Sequence, residues 1–262
     1  MTTPLDDVEF LARSAHRVHV LETLHRGATT RGDLRDRTGI AQATLTRTLD
    51  DLVERRWARK RGRVYELTPL GVVLAVEFAD LLETVETMQR LQSLAEWLPA
   101  FPFDLRLLAD ATVTLPTDTD VLAHVGRVER LLDGADSSWV LAGSVFHESL
   151  ERQHRRSTGR GQRQVAVLSA AALERARSDP ELRQLAADLL ASGCVDVYRY
   201  DGTVPVMLGL VDEVALVAPL DESGVPRGLV ESTDPTVREW VATTLREYVE
   251  GAEPVTATAF TG

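Results

Sequence analysis

Between Thr30 and Arg63 the chain gathers residue types that hydrogen-bond phosphate oxygens and base edges. Thr30 and Arg31 come first, then Gln42, Ala43, Thr44, Thr46 and Arg47, then Arg59, Lys60, Arg61 and Arg63. Arginine presents a planar fork that fits two guanine acceptors at once. A glutamine amide matches the donor–acceptor edge of adenine, and threonine offers a hydroxyl to phosphate and a methyl to thymine. Basic residues on a short loop neutralise backbone charge without reading sequence. The chemistry such a set would carry is recognition of double-stranded DNA rather than bond making.

The charge distribution gives this cluster its meaning. The 262 residues carry a net charge of -11, which argues against a uniformly basic nucleic-acid binder. Residues 1–71, however, hold 13 Lys+Arg against 10 Asp+Glu, and residues 72–262 hold 16 against 30. Lys60 is the only lysine, Ile40 the only isoleucine, and asparagine is absent. An acidic, lysine-poor chain of this kind resembles proteins of salt-accumulating halophilic archaea, whose surface carboxylates hold water at high salt. A GC-rich genome alone would produce a similar bias. The single cysteine, Cys194, permits no internal disulfide and fits a reducing compartment. With no leader pattern and no run of 18 apolar residues, the expectation is a soluble, cytoplasmic protein without a membrane span.

Apolar spacing supplies the elements that would hold the cluster. A first helix is expected over 4–24, ended by Gly27. A short second helix is capped by Thr30, with Asp33 at its third position, and ends at Thr38-Gly39. A third, over 41–56, turns Leu45, Leu49 and Leu52 inward. Ala43, Thr44, Arg47, Asp50, Asp51 and Glu54 lie opposite, with Gln42 and Thr46 at the edges. Two short strands, 58–60 and 64–67, are joined through Arg61-Gly62-Arg63. Three helices and a hairpin make a winged helix-turn-helix. In that arrangement the start of the third helix meets base edges, the free N–H groups and hydroxyls at Thr29-Thr30-Arg31 meet a phosphate, and the hairpin lies along the backbone or minor groove.

A long helix is expected over 69–98, with Leu74, Phe78, Leu81, Val85 and Met88 stepping by four and three, and Leu91, Ala95 and Leu98 continuing the seam. Such a seam needs a partner, and a second copy of the chain would supply one. After Pro99-Ala100-Phe101-Pro102, strands near 111–115, 138–144, 164–168 and 195–200 alternate with helices near 120–132, 146–156 and 170–191, which implies parallel βαβ units. Closely spaced strands at 206–210, 214–219 and 227–231 imply an antiparallel extension, covered by a final helix after Pro235. The expected fold is therefore an α+β winged helix-turn-helix domain over 1–71 and a linking or dimerisation helix over 72–100. An α/β domain with a mixed sheet over 105–254 and a flexible tail over 255–262 complete it.

The stretch "TRGDLRDRTGIAQATLTRTLDDLVERRWARKRGRVYELTPLG" resembles the winged-helix domains of archaeal and bacterial regulators of the MarR, ArsR, IclR and TrmB kind. The Gly-Ile turn, the Thr-x-x-Arg helix and the "YELTPLG" exit carry the likeness, over about residues 8–75. Residues 105–254 more weakly resemble the effector domain of TrmB-like haloarchaeal regulators, chiefly in "GLVESTDPTVREWVATTLREYVEGAEPV". The resemblance implies a ligand-sensing or dimerising domain related in fold to phospholipase D, and leaves the ligand unnamed.

Catalysis is not expected. Phospholipase D chemistry needs paired His-x-Lys segments, and no lysine follows Lys60. Schiff-base and P-loop lysines are excluded on the same ground, and no Gly-x-Ser-x-Gly or His-Glu-x-x-His occurs. His147, Glu151 and His154 share a helix face, but with Arg152, Arg155 and Arg156 beside them the face reads as solvated, and no metal or cofactor is expected. An effector pocket is expected where Ser144 ends a strand and His147 opens a helix, with Arg199 or Tyr200 from the next strand. The functional expectation is a sequence-specific, dimeric DNA-binding transcription regulator under possible small-molecule control. The alternative is a protein-interaction module that uses its winged helix for assembly.

Overall fold

In the computed structural model, which describes residues 3–260, the chain forms two units whose boundary in the sequence falls between Val85 and Glu86. The periodic run at the start of the first unit is two helices rather than one, α1 (Pro4–Ala12) and α2 (Ala15–His25). Ser14 stands between them with extended backbone, φ -150° and ψ 106°. Its carbonyl accepts from the N–H groups of Arg17 and Val18 and begins a new ladder. The break leaves Val20, Leu21 and Leu24 buried in the same core as Leu11.

β1 (Thr29–Thr30) leads into α3 (Arg31–Thr38), which ends at Gly39 in the left-handed region, φ 66°. α4 (Gln42–Glu54) buries Leu45, Leu49 and Leu52 completely, as their spacing of four and three requires. β2 (Ala58–Arg61) and β3 (Val64–Leu67) form the hairpin, with β1 on the other edge of β3. Gly62 opens the two-residue turn at φ 62°, the handedness a primed turn needs.

The segment after the hairpin is built around one close approach. The Thr68 N–H donates to the Trp57 carbonyl at 2.9 Å. The Thr68 hydroxyl donates to the Arg56 carbonyl at 2.7 Å and accepts from the Gly71 N–H at 3.1 Å. This holds the first turn of α5 (Pro69–Leu91) so near β2 that a Cβ on Gly71 would stand 1.9 Å from the Trp57 carbonyl oxygen.

α5 ends at Leu91 and continues as a 3-10 turn through Leu94, short of the expected 98. Its expected seam is not a single surface. Leu74 and Phe78 pack in the winged-helix core, and Leu91 and Leu94 are buried in the second unit. Between them Leu81, Val85 and Met88 are exposed.

The second unit begins with β4 (Thr112–Thr114), α6 (Ala123–Gly134), β5 (Ser137–Ala142), α7 (His147–Arg160) and β6 (Arg163–Ser169). α8 (Ala170–Ser178), α9 (Pro180–Ala191), β7 (Val195–Tyr200), β8 (Val206–Val211) and β9 (Val214–Pro219) follow. β10 (Leu229–Ser232), α10 (Pro235–Glu250) and β11 (Glu253–Val255) close it. The expected helix over 170–191 is two, because Asp179 leaves helical geometry (φ -92°, ψ 119°) and caps α9 ahead of Pro180.

One mixed sheet runs β11-β7-β6-β5-β8-β9-β10-β4. β5, β6 and β7 are parallel, and β8, β9 and β10 extend the sheet antiparallel from β5. β4, expected among the parallel units, instead lies antiparallel to β10 at the far edge. Alternation along β9 sorts the core into two faces. Ala215 and Val217 join Val237, Val241 and Leu245 of α10, while Leu216 and Ala218 join Leu132 of α6. The tail expected from 255 onward is structured where described: residues 253–255 pair with β7 and Phe260 is buried against Leu173 and Leu182. Residues 261 and 262 lie outside the described range. Among the described residues no helix is long and apolar enough to cross a membrane.

Candidate nucleic-acid interface and second-domain cavity

α3 and α4 start in opposite electrostatic conditions. Thr30 caps α3, accepting from the Asp33 N–H at 3.2 Å and donating to the Asp33 carboxylate at 2.7 Å. That carboxylate also accepts from the Thr30 N–H, and these bonds hold Asp33 below the usual carboxylate range. The start of α3 therefore carries its own anion, and Thr30 is not the free phosphate donor that the sequence suggests. The side chain of Arg31 turns toward α4 and donates to the Thr46 hydroxyl at 3.0 Å.

α4 has no side-chain cap: Ala41 is its N-cap, and the first intrahelical bond runs from Leu45 N–H to Ala41 carbonyl. The N–H groups of Gln42, Ala43 and Thr44 have no acceptor among the described residues, and the positive end of the helix dipole stands open. Gln42, Ala43 and Arg47 are exposed, Thr44 and Thr46 half-buried. Arg47 makes no ion pair among the described residues, whereas Asp51 is held by Arg17 at 3.6 Å. A phosphate or a base edge would thus find its donors at α4 rather than at α3.

The basic hairpin is partly neutralised from within. Arg59 donates to Glu66 at 2.7 Å, and Arg61 forms an ion pair with the same carboxylate at 3.0 Å. Lys60 lies over the ring of Tyr65, 5.6 Å from its centroid. Arg63 has no partner among the described residues, so Lys60 and Arg63 are the hairpin cations that no carboxylate shares, while Arg59 and Arg61 together keep one net positive charge. Arg55 and Arg17 stack on Phe10, at 4.1 and 3.8 Å, and brace the helices instead of facing outward.

The expected effector residues do not converge. His147 faces Glu181 at 3.3 Å, Arg199 pairs with Asp201 at 2.7 Å, and Tyr200 packs edge-on against Tyr248. Ser144 alone of these lines a cavity of about 190 Å³ walled by α6, α7, α8, α9 and the sheet. Sequence reasoning missed the polar groups of its wall. His124 is 5% exposed, and its Nδ1 has no partner among the described residues. Burial pushes its imidazole below the ordinary histidine value, against an opposing pull from Asp120. Arg156, read as part of a solvated face, is buried and donates to Glu129 at 3.0 Å, to Asp133 at 2.8 Å and to Gln153 at 3.2 Å. Among the described residues no three His, Cys, Asp or Glu side chains are gathered as metal ligands.

Comparison with known proteins gives two family matches. Residues 5–90 match the HVO_A0261 N-terminal domain, and residues 122–251 match the middle domain of the methanogenesis regulatory protein FilR1. No curated protein matches the chain. Among solved structures, TrmBL2, an archaeal chromatin protein, is similar over 97% of this chain and 100% of its own, at 17% identity and TM-score 0.45. The phospholipase D family member Nuc from Salmonella typhimurium is similar over 56% of this chain and 99% of its own, at 12% identity and TM-score 0.43. The adhesin competence repressor of Streptococcus pyogenes is similar over 34% of this chain and 75% of its own, at 25% identity and TM-score 0.26. These structural likenesses are too distant to assign a role to any residue.

Proposed function

We propose that the chain, whose residues 5–90 match the HVO_A0261 N-terminal domain and residues 122–251 the FilR1 middle domain, is a TrmB-like transcription regulator in which α4 reads DNA sequence from the major groove. Gln42, Thr44 and Arg47 contact base edges, and Lys60 and Arg63 hold the backbone from the hairpin. Arg31 and Thr46 act as a braced pair that fixes α3 against α4. The observation that carries this reading is the uncapped start of α4 followed by an unpaired Arg47. The second domain is a sensor rather than a catalyst, since the lysine chemistry of phospholipase D has no residue to perform it after Lys60. Its setting is the cytoplasm of a salt-accumulating archaeon.

Fluorescence anisotropy of the full-length protein on its own upstream DNA and on random duplex, at molar-range salt, tests the assignment. Arg47→Ala should lose about 1–3 kcal/mol of selective binding and leave random duplex nearly unchanged. Arg63→Ala should weaken both duplexes alike and flatten the salt slope by about one. Arg59→Ala should matter less than Arg63→Ala, because Glu66 already neutralises Arg59. Equal losses on both duplexes for Arg47→Ala would refute base reading. Binding that survives removal of Lys60 and Arg63 would favour the protein-interaction module.

Dimerisation through α5 belongs to the same proposal. Leu70, Val73, Leu81, Val85 and Met88 are 69, 61, 48, 40 and 55% exposed. At 100° per residue they fall within one 120° face. A second copy covering that face would place two recognition helices on half-sites about one helical turn apart. Leu81→Glu with Val85→Glu should convert a dimer into a monomer by sedimentation and weaken operator binding. A sedimentation coefficient unchanged by both substitutions would remove α5 as the interface.

A further inference from the structure

We propose that the cavity beneath α6 and α7 binds a small, uncharged, mainly apolar molecule bearing one hydrogen-bonding group, which is taken by Nδ1 of His124. The inference rests on the sensor reading of the second domain and supplies its site and ligand class. It relocates the pocket from the Ser144–His147–Tyr200 surface to the interior behind Ser144.

Size, lining and charge each restrict the occupant. The volume of about 190 Å³ exceeds the ~150 Å³ that admits a benzene ring in a buried apolar cavity. Most of the wall is aliphatic, including Val128, Val140, Leu150, Leu168, Val197 and Met207. Apolar area in a preformed pocket favours an apolar body with few, fixed polar contacts. His124 lies in this wall, 95% removed from solvent, with an orphaned ring nitrogen. A buried nitrogen of this kind is expensive unless it is paired, and no group among the described residues pairs it. The hydroxyls of Ser144 and Ser149 also line it, and the other polar side chains of the wall, Glu129, Gln153, Arg156 and Gln164, are hydrogen-bonded to protein groups.

Charge and hydroxyl number exclude anions and sugars. The wall's one permanent cation, Arg156, already serves Glu129 and Asp133, so no positive charge is left for a carboxylate or phosphate. The imidazole is held neutral by its burial and offers one hydrogen bond rather than an ion pair. A sugar would bring several hydroxyls to a wall whose Glu129, Gln153, Arg156 and Gln164 are already engaged with protein partners, and one orphaned nitrogen and two serines would leave most of those hydroxyls unpaired. Phe146 both lines the cavity and is 45% exposed, which makes it the rim residue on the entry side.

Isothermal titration and ligand-detected NMR on the full-length protein test this with 4-ethylphenol, ethylbenzene, benzoate and glucose. The phenol should bind and raise the melting temperature. Ethylbenzene should bind roughly tenfold more weakly for want of the hydrogen bond, and benzoate and glucose should not bind. In His124→Phe the phenol should lose that advantage while ethylbenzene is retained. Ala166→Leu, which fills the cavity from β6, should abolish both. Failure of both aromatic probes to bind at millimolar concentration would overturn the proposal. So would phenol binding indifferent to both substitutions, or preferential binding of benzoate or glucose. Operator affinity measured with and without the phenol separates the site from its use. Binding without a change in DNA affinity keeps the cavity site and removes this ligand class as the effector. Intact DNA binding with no probe bound removes the cavity and leaves the DNA reading standing.

Discussion

Gly71→Ala is expected to destabilise the first unit by about 3 kcal/mol, although alanine inside a helix ordinarily stabilises it by up to ~1 kcal/mol relative to glycine. The sign is decided by the 1.9 Å between the new Cβ and the Trp57 carbonyl oxygen. Both atoms are fixed by backbone, so no rotamer relieves the clash. The first turn of α5 must lift away, and with it go the Thr68 bonds to Arg56 and Trp57. Gly32→Ala is the matched control. Gly32 is exposed in α3, and its Cβ would meet only the Thr30 hydroxyl at 3.7 Å, so that change should stabilise by roughly 0.5–1 kcal/mol. Urea unfolding followed by circular dichroism distinguishes the two. A midpoint for Gly71→Ala at or above that of the parent would show that α5 can leave Trp57 without loss.

Arg156→Ala should be comparably damaging to the second unit. Glu129 is 9% exposed at its side chain, and Arg156 is its ion partner. Stranding a carboxylate there costs about 3–5 kcal/mol, and Asp133, at 51% exposed, is the partner that water can satisfy. Pairing Arg156→Met with Glu129→Leu removes both charges and should restore most of the stability, since a buried ion pair contributes little over apolar side chains of similar volume. Thermal melts of the single and double variants check both statements. A double variant as unstable as the single would mean that Arg156 acts through Gln153 and the α6–α7 packing instead of its charge.

Local signals made the first unit readable. Leu45, Leu49 and Leu52 show the inward face of α4 by spacing alone, and Gly62 marks the hairpin turn because few other residues accept its conformation. Asp234 before Pro235 likewise announces α10. The break at Ser14 was hidden because apolar residues keep helical spacing across it, and periodicity does not register one extended residue. Thr30 was read correctly as the cap of α3 and incorrectly as a free phosphate donor. The Thr-x-x-Asp spacing that names a capping box also says that the hydroxyl is already engaged.

The cavity was not legible, for a different reason. His124 and Arg156 are buried by α6, α7 and the sheet, which come from separate parts of the chain. Within α7, Arg152, Arg155 and Arg156 lie within five positions, yet Arg152 is 35% exposed at its side chain and Arg156 only 6%. No spacing rule separates them. The expected set Ser144, His147, Arg199 and Tyr200 relied on where strands end, and Arg199 and Tyr200 found local partners that no periodicity predicts.

The three-residue strand β11 has a consequence for solubility. It covers the outer edge of β7, a six-residue strand containing Val195, Val197, Tyr198 and Tyr200. Without that cover β7 would present a row of unpaired amides on an aromatic and β-branched segment, the pattern that recruits further strands into aggregates. Pro254 at the centre of β11 has no N–H to offer a newcomer, so the sheet ends there. Residues 253–255 thus act as a stopper against polymerisation, and a chain shortened before Glu253 would lose its protection from itself.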